Sequence, residues 1–261
     1  MNMHGPLKMV ALAASLAAAV LGISSAGEAA PTRNIVLVHG AFVDGSGWRP
    51  VYDILTHDGY RVSIVQQPLT GLADDVAATS RIIEQQGGPV ILVGHSYGGA
   101  IITEAGTDPR VVGLVYIAAH APDAGETQTG NGKKYPSLGR DAIKPVADGY
   151  VWIEPSRYHA EFAADLPSDE ANFESVSQVP TAAFAFATPI TEPAWRTKPS
   201  WYMVATADHI INPDLERMYA ARAHSRKVVE ISGASHSVYR SHPREVAALI
   251  EEAARDSPSV K

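Results

Sequence analysis

Short apolar runs alternate with helix-patterned segments along most of this chain, and this alternation limits the possible folds more than any other feature. Aliphatic residues fill positions 35–38 and 90–93, and further segments typical of strands lie at 61–66, 111–118, 201–205 and 228–231. Between them residues recur at helical spacing, as at Leu72, Val76 and Ile83. Continuous apolar strands separated by amphipathic helices are typical of a parallel sheet covered on both faces. The sequence therefore predicts an α/β fold with a mostly parallel, twisted sheet.

The alternation stops between about residues 122 and 199. Eight of the eighteen prolines lie between positions 136 and 199, with short helical pieces and many aromatic residues among them. A linker without packed structure would be polar, whereas this segment is not. We therefore expect one domain over residues 30–261, and this domain contains an insertion at about 122–199.

Composition and charge narrow the range of partners. The chain has 261 residues and a net charge of −7, and no run of basic residues suggests binding to nucleic acid. It has no cysteine, which excludes disulfides and cysteine-based zinc sites. No cluster of histidine and carboxylate residues has metal-ligand spacing, so we expect neither a metal nor another cofactor. The sequence does not indicate an oligomeric state.

The N-terminal residues resemble a secretory signal. Lys8 is followed by an uncharged, Ala- and Leu-rich run at 9–23 and then by small residues up to Ala30. This order of charge, apolar centre and small residues predicts a signal peptide over 1–29 and export to a periplasm or the medium. A retained membrane anchor is the alternative, although the apolar run is short for crossing a bilayer. After cleavage no membrane association is expected.

A Gly-x-Ser-x-Gly segment at 94–98 stands between the apolar run 90–93 and a helix-patterned segment that extends to about residue 105. A nucleophilic serine must project from a very tight strand-to-helix turn, and the flanking glycines permit the crowded backbone. This context predicts Ser96 as a nucleophile.

A serine hydroxyl needs a general base, and His236 is the histidine best placed to act as one. It lies between the last predicted strand and the last predicted helix, in a loop that opens on the same sheet edge as Ser96. His39 and His95 are interpreted as structural, and the other candidates as surface or loop residues: His209, His224 and His242.

The carboxylate that orients the histidine should lie between Ser96 and His236 in the chain. Asp208 closely follows the predicted strand 201–205 and is the first choice. Asp123, after the strand 111–118, is the alternative, and Asp214 is better explained as a first-turn residue of a helix.

The remaining site residues follow from the same reasoning. Backbone N–H groups of Ala41 and Tyr97 are the expected oxyanion donors, since one loop follows the first strand and the other follows the nucleophile. Aromatic residues near the site or in the insertion are candidates for substrate contact, and we name Phe42, Trp152 and Trp195.

Four segments together resemble the α/β-hydrolase superfamily, especially its branch of bacterial esterases, plant methyl-salicylate-type esterases and hydroxynitrile lyases. They are residues 36–42 with Trp48, residues 94–99, Asp208 after a strand, and residues 233–236. The resemblance spans 34–256 and implies an α/β-hydrolase fold with helices on both faces of the sheet. It also implies that the insertion is a helical cap over the active site.

The triad and the resemblance imply a serine esterase that acts through an acyl-enzyme, and the aromatic residues of the insertion favour small to medium apolar or aryl esters as substrates. The lyases of this branch carry Thr at the position of Gly40 and Lys at that of Ser237, so cyanohydrin cleavage is disfavoured. Lactone hydrolysis and cofactor-free perhydrolysis need the same triad and remain alternatives. A ligand-binding member of the fold without catalysis is the alternative from another functional class.

Overall fold

The computed structural model describes residues 1–3, 5 and 32–257. The signal peptide predicted over 1–29 lies almost wholly outside the described residues and stays a prediction. In the part of the chain that is described, no helix combines the length and the hydropathy needed to cross a lipid bilayer.

The strands of the described residues form two sheets. In chain order they are β1 (Asn34–Val38), β2 (Arg61–Val65), β3 (Val90–Ser96), β4 (Val111–Ala119), β5 (Ile143–Pro145), β6 (Tyr150–Ile153), β7 (Thr181–Ala182), β8 (Ser200–Ala205) and β9 (Lys227–Ile231). The main sheet has the order β2-β1-β3-β4-β8-β9, and all its neighbouring pairs are parallel. The predicted α/β architecture is thereby confirmed.

Helices cover both faces of the main sheet. The helices of the described residues are α1 (Arg49–His57), α2 (Leu72–Glu84), α3 (Gly98–Ala105), α4 (Gln128–Lys134), α5 (Pro155–Phe162), α6 (Ser168–Val176), α7 (Pro213–Arg222), α8 (Val238–Ser241) and α9 (Pro243–Asp256), and all except α4, α5 and α6 pack on the faces of this sheet. Side chains alternate between the two faces of a strand. Ile35 and Leu37 therefore pack with α1, α8 and α9, whereas Val36 and Val38 pack with α2, α3 and α7.

The residues between β4 and β8 leave the main sheet and are called the cap from here on. They hold α4, α5 and α6 together with a small antiparallel sheet of order β5-β6-β7. Tyr158 and Phe162 of α5 are fully buried and join the core that lies over α2 and α3. The small sheet was not expected from the sequence, because strands this short carry no readable periodicity.

The strand order brings several loops to one edge of the main sheet. β1 lies between β2 and β3, and Val38 at its carboxyl end pairs with Gly94 of β3. After β1 the chain continues to β2 on one side, whereas after β3 it continues to β4 on the other side. Where the direction of the strand order changes in this way, a crevice opens at the carboxyl ends of the strands. The loops after β1, β3, β8 and β9 therefore meet at the edge where a site is expected.

Candidate active site

Ser96 ends β3 in a strained turn that leads directly into α3. Its φ of +54° lies in the left-handed region, which is unusual for any residue other than glycine. The neighbouring positions have no room for a side chain, so both must be glycine. A Cβ on Gly94 would lie 2.6 Å from the carbonyl oxygen of Gly98, and a Cβ on Gly98 would lie 2.6 Å from the carbonyl oxygen of His39. The Gly-x-Ser-x-Gly spacing thus allows the serine to project from the sheet edge.

His236 lies in the loop between β9 and α8 with its side chain fully buried. Its Nε2 is 2.8 Å from Ser96 Oγ, and its Nδ1 is 2.5 Å from Asp208 Oδ2. Phe162 packs edge-on against the imidazole, and the His95 ring lies beside it. His95 Nε2 is also 2.9 Å from the backbone oxygen of His236. The ring is therefore held on several sides, and His95 has the structural position that its sequence context suggested.

Asp208 follows β8 and presents both of its carboxylate oxygens to donors. While Oδ2 contacts His236, Oδ1 accepts hydrogen bonds of 2.6 Å from Ile210 N–H and 2.8 Å from Ile211 N–H. Asp123 points elsewhere, because its Oδ1 is 2.6 Å from Nη2 of Arg196. The sequence left Asp208 and Asp123 as alternatives for the carboxylate that orients the histidine, and the structure brings Asp208 to His236.

A second carboxyl group, that of Glu216 on α7, is buried beside Asp208. Its Oε2 accepts a hydrogen bond of 3.1 Å from Ala205 N–H, and the side chain has no solvent exposure. Burial, and then the charge of the neighbouring Asp208, raises the pKa of Glu216 well above its ordinary value. The neutral, protonated form of the Glu216 side chain is therefore favoured at this position.

The two residues predicted to supply oxyanion donors line the same cavity as Ser96. Neither the Ala41 N–H nor the Tyr97 N–H makes a loop or turn hydrogen bond within the described residues. The adjacent N–H of Phe42 is already engaged, since it donates to Thr181 Oγ1 at 3.3 Å. This geometry favours the Ala41 amide over its neighbour as the donor from that loop.

The cavity at Ser96 has a volume of about 340 Å³ and opens between the main sheet and the cap. Phe42 lines it, as predicted from the sequence, whereas Trp152 and Trp195 do not. Trp195 is buried with its Nε1 donating to the carbonyl oxygen of Pro122, and Trp152 packs on the core of the cap. The two tryptophans are thus corrected from substrate contacts to packing residues.

Comparison with known proteins gives the family. A sequence profile described as the alpha/beta hydrolase family matches residues 35–249. The chain belongs to the alpha/beta hydrolase family. The hydrolase is 27% identical to a pyrethroid hydrolase of Sphingobium wenxiniae over 255 residues, which cover 87% of this chain and 89% of the relative. It is 23% identical to a putative chloroplastic methylesterase of Arabidopsis thaliana over 258 residues, which cover 87% and 65% of the two chains.

Comparison with solved structures indicates the same fold. A crystal structure of a pyrethroid hydrolase from Sphingobium faniae superposes with a TM-score of 0.72 at 24% identity, covering 86% of this chain and 98% of the other. Among the curated relatives, the chain spans 65% of the methylesterase and 62% of a probable hydrolase from a Phoma strain. The α/β-hydrolase fold is therefore shown by sequence and structure together.

Several residues of this hydrolase that line the cavity were not anticipated from the sequence. His120 directly follows β4 and lines the cavity. Its position at the carboxyl end of a predicted strand could have indicated this from the sequence. Burial, and then the neighbouring His236, lowers the pKa of His120 to about 3, so a neutral imidazole faces the cavity at pH 7. Ile210 follows β8, and most of the others lie in the cap, where no sequence pattern marks them; they include Gln128, Thr129, Lys133, Arg140 and Phe186.

Proposed function

We propose that this hydrolase cleaves carboxylic esters through Ser96, His236 and Asp208 by way of an acyl-enzyme. The observation that carries the proposal is the unbroken chain of hydrogen-bonding contacts from Asp208 Oδ2 through His236 to Ser96 Oγ. The Asp208 end of this series of contacts is buried, and the Ser96 end lines a cavity. Such an arrangement is what an activated serine nucleophile requires.

In the first step Ser96 Oγ attacks the ester carbonyl carbon while His236 Nε2 accepts the hydroxyl proton. The carbonyl oxygen becomes an oxyanion, and the N–H groups of Ala41 and Tyr97 donate hydrogen bonds to it. Asp208 accepts the hydrogen bond from His236 Nδ1 and stabilises the imidazolium. The C–O bond to the alcohol then breaks, and the alcohol leaves with the proton from His236.

In the second step water takes the place of the alcohol. His236 removes a proton from the water as its oxygen attacks the acyl carbon, and the same two amides hold the second oxyanion. The bond to Ser96 Oγ breaks, the serine recovers its proton from His236, and the carboxylic acid is released. No cofactor enters this sequence.

The cavity supports an ester of small to medium size. Its volume of about 340 Å³ is at the lower end of the usual range for ligand pockets. Apolar side chains contributed by Phe42, Ile143, Phe186 and Ile210 line it near Ser96 and suit an alkyl or aryl group. The names methylesterase and pyrethroid hydrolase among the relatives also support ester substrates.

The direct test is hydrolysis of 4-nitrophenyl acetate and butyrate by the purified protein. We expect turnover that Ser96→Ala reduces by about 10⁴-fold or more, because the covalent route is lost. Ser156→Ala, which changes an exposed serine of α5, is the matched control and should leave the rate unchanged. Equal turnover by Ser96→Ala and the wild type would refute the mechanism, and no turnover by the wild type would favour a ligand-binding role.

We also propose that the protein is exported after removal of residues 1–29. The order of Lys8, the apolar run 9–23 and the small residues before Ala30 supports this proposal. N-terminal sequencing of the protein isolated from its native cell should begin near Ala30. A protein that begins at Met1 would contradict export through a cleaved signal.

A further inference from the structure

The cavity at Ser96 has an unusual charge for this protein. The whole chain carries a net charge of −7, yet among the described residues Lys133 and Arg140 are the only charged side chains that line the cavity. Lys133 forms no ion pair with a carboxylate of the described residues, and Arg140 has only a distant contact of 3.7 Å with Asp141. Two cations with little compensation therefore border the same cavity as Ser96.

A second cavity that Phe42 also lines has the opposite character. It has a volume of about 350 Å³ and shares Phe42 with the active-site cavity. Among the described residues, its charged lining consists of four carboxylates and one arginine: Asp44, Asp169, Glu170, Glu174 and Arg240. Arg240 is bound to two of these carboxylates, so the second cavity keeps an excess of negative charge. A positively charged cavity and a negatively charged cavity thus both border Phe42.

We propose that the preferred substrates are esters that carry a carboxylate away from the scissile carbonyl. This inference rests on the proposed ester hydrolysis at Ser96. The carbonyl lies at Ser96, while the distant carboxylate lies towards Lys133 of α4 and Arg140. The acidic cavity that Phe42 also borders repels the same group and so fixes the direction in which the substrate lies.

The physical basis is attraction at short range in a partly enclosed cleft. Charges of one sign that line a cleft concentrate ligands of the other sign and favour their bound state. Exposed charges are screened by salt over about 10 Å at 0.1 M ionic strength, so the preference should weaken as salt is added. An apolar ester of the same size gains nothing from the two cations.

The test compares matched pairs of charged and neutral esters. On the acyl side, the half-ester 4-nitrophenyl hydrogen adipate is compared with 4-nitrophenyl heptanoate. On the alcohol side, 4-acetoxybenzoate is compared with 4-acetylphenyl acetate. The measured quantity is the ratio of kcat/KM for the charged ester to that for the neutral ester, corrected for spontaneous hydrolysis. Each ratio is taken within one protein, so a general loss of activity in a variant cancels.

We expect a ratio above one in at least one pair at low ionic strength, falling towards one in about 0.5 M NaCl. Lys133→Gln and Arg140→Gln should each lower that ratio about two- to fivefold, the effect of one exposed ion pair. Lys133→Glu should lower it further. Lys134→Gln is the matched control, because Lys134 is an exposed residue of the same helix that does not line the cavity.

Two results would overturn the inference while leaving ester hydrolysis intact. One is a ratio of one or less in both pairs, with normal turnover of the neutral esters that depends on Ser96. The other is a ratio above one that the double variant Lys133→Gln/Arg140→Gln retains in full. Failure of the proposed function is recognised separately, because the neutral esters would then not be hydrolysed at all.

Discussion

The hydroxyl group of Tyr97 donates a hydrogen bond of 2.7 Å to Oδ2 of Asp75, and this contact joins the proposed oxyanion turn to α2. Asp75 is fully buried, and its other oxygen accepts a hydrogen bond of 2.8 Å from Leu69 N–H. Burial raises the pKa of Asp75 from 3.8 to about 6, although both hydrogen bonds favour the charged form. A buried titrating group is therefore hydrogen-bonded to the residue that directly follows the proposed nucleophile.

The first prediction concerns the pH dependence of stability. Between pH 3.8 and about 6 folded Asp75 holds a proton that the unfolded chain has released, so its contribution to stability falls as the pH rises through this window. The free energy of unfolding of the wild type minus that of Asp75→Asn should therefore decrease by roughly 2–3 kcal/mol from about pH 4 to pH 7. Urea unfolding of both proteins measures this. A difference that is constant with pH would contradict the raised pKa.

The second prediction concerns the protonation of the buried Glu216. Glu216→Gln stays neutral and keeps an acceptor for Ala205 N–H, so kcat/KM should stay within about threefold of wild type. Glu216→Ala leaves a gap and removes the acceptor for Ala205 N–H, and kcat/KM should fall about tenfold. Ester turnover and thermal unfolding of both variants provide the comparison. If the glutamine variant lost as much activity as the alanine variant, the neutral form of Glu216 would not be the functional one.

The third prediction separates the two carboxylates that the sequence left open. Asp208→Asn removes the acceptor that orients His236, and kcat should fall by about 10³- to 10⁴-fold. Asp123→Asn is the matched control, because Asp123 pairs with Arg196 and does not contact the histidine. Its activity should remain close to wild type. A large loss in Asp123→Asn with a small loss in Asp208→Asn would reverse the assignment.

The fourth prediction concerns Phe42, which borders both cavities. Phe42 has a φ of +68°, and its backbone is held there by contacts with Val179 N–H and Thr181 Oγ1. Phe42→Gly removes the ring and joins the cavities, so the preferred acyl chain among 4-nitrophenyl esters should become longer. Phe42→Ala should show the same shift but be less stable than Phe42→Gly by about 1 kcal/mol, since alanine keeps the left-handed strain. An unchanged chain-length profile would show that the ring does not limit the substrate.

The main sheet was predictable because its signals are local. The four inner strands are short apolar runs, whereas the edge strands β2 and β9 mix apolar with polar residues, and the prediction from the sequence places all six. The cap was harder to interpret. Helix α4 contains Gly130 and Gly132, which disfavour helices, and it is held at its start by the side chain of Thr127. Its strands are too short to show alternation, so only tertiary packing defines them.

The residues of the candidate site likewise divide into those that the sequence predicts and those that it does not. Ser96, His236 and Asp208 lie next to recognisable strand ends, and the structure brings all three into contact. Trp152 and Trp195 were chosen for their chemistry alone, and packing in the cap directs them away from the cavity. The buried Glu216 was not predicted, because a charged residue in a helix is ordinarily solvated and nothing local marks it as buried.

The cap contributes both cations at the cavity, whereas the three residues proposed for proton transfer come from β3 and from the loops after β8 and β9. The division is not complete, because Phe162 of the cap packs against the imidazole of His236. A graft that exchanges the cap for that of another α/β hydrolase would therefore have to retain an aromatic side chain at this position. With that residue kept, new charges could be placed at the cavity without rebuilding the strained turn at Ser96.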